Sequence, residues 1–158
     1  MLVFFIYQHT YELAAVVGLF IVLLIWGYFT EGPIILAAKY FHKKDYTRAE
    51  NLLLQISKPN WLSKKRRGFY EFLMGGISMQ KHDFEAAEQH YELATKYPLR
   101  TVNDHVAALV HVANISIRNG RYEKATIYLQ MAKEKESQVT AKMKSVISQI
   151  EEVLKKHT

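Results

Sequence analysis

Apolar and polar positions divide the chain into two regimes. Leu13 through Phe29 (LAAVVGLFIVLLIWGYF) contains no charged side chain, and Glu12 is the only charged side chain before Glu31. Beyond Pro33 the apolar residues fall three and four apart, as in Ile34, Ile35, Ala38 and Phe41, with polar residues between them. That is the period of a helix with one buried face. No stretch alternates as a half-buried strand would, so the expected fold class is all-α.

The first regime predicts a transmembrane anchor over residues 1–31. Its seventeen uncharged residues cover about 25 Å at ~1.5 Å each. A hydrocarbon core is ~30 Å thick, so a span would recruit Tyr11 and Thr30 or part of the apolar Leu2 to Tyr7 run. Tyr7 and Tyr11 at one end, and Trp26 and Tyr28 at the other, suit interfacial aromatic belts. Ala14 and Gly18 are four apart, a pair small enough to let a second membrane helix pack closely. Glu12 reads either as the outer boundary of the span or as a carboxylate paired by a partner subunit. No cation precedes the apolar run and no small-residue cleavage site follows it before Gly32-Pro33, so the segment does not read as a cleaved signal peptide. All 21 Lys and Arg fall at Lys39 or later. The positive-inside rule then gives a single-pass inner-membrane protein with its N-terminus outside and its C-terminal region in the cytoplasm; the reversed orientation is the alternative.

The second regime repeats. Ala49, Ala87 and Ala125 each stand three residues after an aromatic ring, Tyr46, Phe84 and Tyr122, at a constant spacing of thirty-eight. The three units align as KKDYTRAENLLLQI, KHDFEAAEQHYELA and NGRYEKATIYLQMA, each preceded by another apolar helix, ILAAKYF, EFLMGGISM or ALVHVANISI. A fixed period of this length means a helical hairpin that buries its apolar face by stacking on its neighbours.

The unit resembles the tetratricopeptide repeat (TPR). Ala37, Gly75 and Ala113 match the small eighth position of that pattern, and Ala49, Ala87 and Ala125 match the small twentieth. Leu53, Tyr91 and Leu129 match the large twenty-fourth, followed by Ile56, Ala94 and Ala132, with Pro59 and Pro98 near the ends of their units. The fourth-position tryptophan is missing, replaced by Pro33, Glu71 and Leu109, and about four extra residues lengthen the links relative to the thirty-four-residue repeat. Three repeats are expected over residues 33–136, at about 33–59, 68–98 and 104–136, with loops at 60–65 and 99–103. Val139, Met143, Val146, Ile147, Ile150 and Leu154 form one stripe, the mark of a capping helix over residues 137–158.

The resemblance implies a concave face built from the first helix of each hairpin. By alignment its partner-binding groove carries Phe41, Phe72, Gly76, Met79, Val110, Asn114, Ile117 and Arg118, and Gly75-Gly76 would widen it for an apolar or amphipathic helix. Packing between repeats is the competing role for the same residues. Family members that grip a C-terminal carboxylate use Lys, Asn and Arg where Ile34, Ala38 and Leu73 stand here, so no carboxylate clamp is expected. Lys64, Lys65, Arg66 and Arg67 form the sharpest charge cluster in a chain of net charge +6. It suits anionic lipid headgroups or simple topology duty; with no aromatic interleaving, nucleic acid is not expected.

The chain has no cysteine, and no HExxH, GxSxG or glycine-rich phosphate loop occurs. His82 and His90, or His105 and His111, lack a third ligand at useful spacing. Hence no catalysis, metal, cofactor or small-molecule substrate is expected. The functional expectation is a membrane-anchored protein-binding scaffold or adaptor, such as an accessory subunit of a membrane complex. The alternative is a chaperone-like assembly or quality-control factor that binds apolar or nascent membrane segments.

Overall fold

The computed structural model describes residues 11–157, the side chains of residues 11, 12, 26 and 28–31 excepted. The roles expected of Glu12 and of the aromatic belts at Tyr7, Tyr11, Trp26 and Tyr28 lie outside the described residues. Among the described residues every regular element is helical. The α-helices are α1 (Tyr11–His42), α2 (Tyr46–Leu54), α3 (Lys64–Gln80), α4 (Phe84–Thr95), α5 (Val102–Arg118), α6 (Tyr122–Lys133) and α7 (Ala141–Lys155). Short 3-10 turns lie at Pro59–Trp61 and Glu136–Gln138.

Helices α1 and α2, α3 and α4, and α5 and α6 pack as hairpins, and each hairpin stacks on the next. Small residues set the closest crossings. Ala37, Ala49, Ala87, Ala113 and Ala125 are fully buried, and a Cβ on Gly75 would stand 3.0 Å from the Tyr91 ring. The core runs as three clusters through the stack, from Ile34, Leu53 and Leu73 through Tyr91 and Ile115 to Leu109 and Leu129. Helix α7 closes the end by burying Ile147 and Leu154 against α5 and α6.

The three hairpin turns are the same structure at a period of thirty-eight. Lys44, His82 and Gly120 adopt left-handed φ values of 63°, 61° and 70°. The amide of the next residue then reaches back to the first helix: Asp45 to Tyr40 O, Asp83 to Ser78 O and Arg121 to Ser116 O, at 3.0, 3.0 and 2.8 Å. This pairing satisfies helix C-terminal carbonyls. Asp45 and Asp83 immediately cap the second helix by accepting from the amides of Arg48 and Ala86.

Three expectations from the sequence change here. Gly32-Pro33 does not separate two elements: α1 runs unbroken through it, with Pro33 inside the helix. A proline in mid-helix forfeits one amide donor, a local loss that continuous burial of Ile34 and Ala37 offsets. The expected membrane-spanning helix is not shown, because among the described residues no helix is long and apolar enough to cross a membrane. The described uncharged stretch from Leu13 to Ile25 is thirteen residues, or about 20 Å of helix, against a ~30 Å hydrocarbon core. Finally, Lys64 and Lys65 are the first residues of α3, with Ser63 as its N-cap, and do not belong to a loop.

Candidate functional site

The residues expected in the groove occupy three different environments. Val110 and Ile117 are buried, at 5% and 7% exposure, within the cluster that joins α5 to α6 and α7. They offer a guest little surface. Phe41, Phe72, Met79 and Asn114 are half-buried and Arg118 is exposed. The Phe72 ring meets Tyr91 edge-on at 5.8 Å, and the Arg118 guanidinium lies 3.9 Å above the Phe84 ring.

Gly75 and Gly76 do not widen the groove as the sequence suggested. Each is filled by an aromatic ring: Tyr91 sits over Gly75, and the Phe41 ring lies where a Cβ of Gly76 would be. The absent side chains admit neighbouring helices instead of a ligand. His111 stacks on Tyr91 at 4.6 Å. Burial holds the His111 imidazole below its usual range and pushes the Tyr91 phenol up, so both are neutral members of this packed aromatic layer.

Buried carboxylates tie helices together, Glu71 within the second hairpin and Glu88 between the second and third. Glu71 on α3, 1% exposed, accepts from Arg67 at 2.6 Å and pairs with His90 Nδ1 of α4 at 2.6 Å. Arg67 therefore turns inward, away from any anionic surface the cluster would meet. Glu88 on α4 accepts from the Ser116 hydroxyl at 3.0 Å, from Lys124 at 2.9 Å and from Arg121. Burial raises the Glu88 pKa, but the hydrogen bonds from Lys124, Arg121 and Ser116 outweigh it and hold the carboxyl below the usual range. With their oxygens engaged, these acids serve the stack. Among the described residues no group of three His, Cys, Asp or Glu could hold a metal.

An open cleft lies elsewhere. A cleft of about 570 Å³ separates α1 from the start of α3, lined by Ile35, Ala38, Lys39 and His42 on one side, Ser63, Lys65, Arg66 and Phe69 on the other, and Arg100 from the loop after α4. None of these is a carboxylate. Cations in the first turn of a helix oppose its dipole, by about 0.3–1 kcal/mol each at exposed sites; α3 has no acid in that turn, and the Ser63 side chain makes no capping bond. A second cleft of about 550 Å³ adjoins it along α1, lined mainly by apolar groups of Pro33, Ile35, Leu36 and Leu52. Lys39 and Arg100 are sixty-one residues apart, and no spacing rule could have joined them. Ala14 and Gly18 lie on the apolar half of α1; Ala14 is buried, and the space a Gly18 Cβ would take is open.

A family model described as the SusR N-terminal TPR domain matches residues 30–150. Comparisons with curated proteins and with solved structures give no match. The matched stretch covers the C-terminal part of α1, all of α2 to α6 and most of α7, well over half of the chain. Together with three identical turns and three alanine-lined hairpins, it makes this chain a member of the SusR N-terminal TPR domain family.

Proposed function

We propose that this TPR stack is a protein-interaction scaffold held at a membrane surface by the N-terminal half of α1, where it serves as an accessory subunit of a membrane complex. The interaction role follows from the family. The membrane role is supported by one observation above all: Leu13, Val16, Leu19, Phe20, Val22, Leu24 and Ile25 stand 52–69% exposed on α1, in a stretch without a charged side chain. Large exposed apolar surfaces mark sites that a partner or a bilayer covers. The charge rule favours an orientation with the stack in the cytoplasm. The chaperone-like alternative drew on a groove widened by Gly75-Gly76, and loses that support with both glycines filled.

Carbonate washing of membranes, followed by mild-detergent purification of the full chain, tests both parts. Retention in the washed membrane and stoichiometric copurification of a membrane protein are expected. A chain released into the aqueous fraction overturns the membrane role, and a lone monomer in detergent overturns the subunit role.

A further inference from the structure

We propose that the cleft between α1 and the start of α3 holds the phosphate-bearing headgroup of an anionic phospholipid. The proposal rests on the membrane reading above and adds its ligand. Lys39, Lys65, Arg66 and Arg100 converge on one space that no described carboxylate lines. Lys39, Lys65 and Arg100 make no ion pair with any described residue. Like charges such as these three repel, and an anion between them turns the repulsion into attraction.

The apolar part of the cleft selects the kind of anion. Ile35, 56% exposed, and Phe69 line the same space, and Ile35 and Lys39 are shared with the apolar cleft alongside. A free anion has no use for that surface, and an acidic peptide carries charge along its whole length. A phospholipid carries one anionic head on an apolar body. Position agrees: Ile35 follows the apolar run, which ends at Phe29, by six residues, about 9 Å along the helix. Helical side chains lean toward the N-terminus, so Lys39 leans back toward the apolar half of α1.

The full chain in neutral detergent is titrated with short-chain phosphatidylglycerol and phosphatidylcholine, and bound lipid is read by native mass spectrometry. Phosphatidylglycerol is expected to bind at least about tenfold more tightly, and Lys39→Gln with Arg100→Gln to lower its affinity about tenfold, with unchanged helical circular dichroism. Lys142→Gln with Lys156→Gln removes equal charge from α7 and its C-cap and is expected to leave binding unchanged. Equal binding of the two lipids, or equal loss in both double variants, overturns the proposal. So does inorganic phosphate that displaces the lipid at equal concentration, or an Asp/Glu-rich peptide that binds through Lys39 and Arg100 where the lipid does not. Carbonate washing separates the two readings: a membrane-retained chain that fails the lipid titration overturns this proposal alone, and a released chain overturns both.

Discussion

The Phe41 ring lies against Gly76 so closely that a Cβ there would stand 2.5 Å from Cζ and 2.7 Å from Cε2. This contact joins the first hairpin to the second. Alanine at an exposed mid-helix glycine would stabilise by about 1 kcal/mol, but here the ring must move. Gly76→Ala is expected to lower stability by about 1–2 kcal/mol net. Phe41→Leu in the same chain should recover part of that loss, and a double-mutant cycle on urea unfolding measures the coupling.

Two of the three hairpin turns hold a side chain in a backbone conformation that favours glycine. Lys44→Gly and His82→Gly should therefore each raise stability by about 0.5–1 kcal/mol, and Gly120→Ala should lower it by about 1 kcal/mol. Thermal unfolding of the three variants checks this, and opposite signs at equivalent positions are the signature.

Glu88 binds the second hairpin to the third through Ser116, Arg121 and Lys124. Glu88→Gln takes from Arg121 and Lys124 the negative charge they share, leaving Lys124 only Glu92, and is expected to cost about 2 kcal/mol in urea unfolding. Because its folded pKa lies below the usual 4.5, its contribution is complete above about that pH and is lost as pH falls through the folded value. The variant should lack this part of the acid dependence.

His111 gives a second, milder window. Burial lowers its pKa from the usual 6.5, so below that pH the unfolded chain takes up the proton more readily and stability declines. His111→Phe keeps a ring on Tyr91 and should flatten the decline below about pH 6.5. A residual slope is expected from His105, which burial and the charge of Lys135 shift the same way. Urea midpoints across this range, wild type against variant, make the comparison.

The repeat was readable because its chemistry is local and recurs. Ala49, Ala87 and Ala125 mark the closest helix crossings, and the aromatic residue three before each marks the turn. The turns' left-handed residues were not readable, since neither Lys44 nor His82 marks that geometry as a glycine does. Gly75-Gly76 misled because a sequence shows that room exists and not which ring takes it. Arg67 looked like the rest of its basic run, and only a buried Glu71 one turn on distinguishes it. The cationic cleft draws on α1, α3 and a loop far apart in the chain, and a long-range meeting of this kind leaves no periodic trace.

Helix α1 runs 32 residues without interruption, about 48 Å. The exposed apolar half and the first hairpin's core thus form a single rod, with Phe41 near its far end pressed on the second hairpin. One helix couples its two ends even across Pro33, where an amide donor is lost. A tilt of the apolar half that carries past that proline would press Phe41 on Gly76 or withdraw it, so the seam between the first two hairpins would register the event.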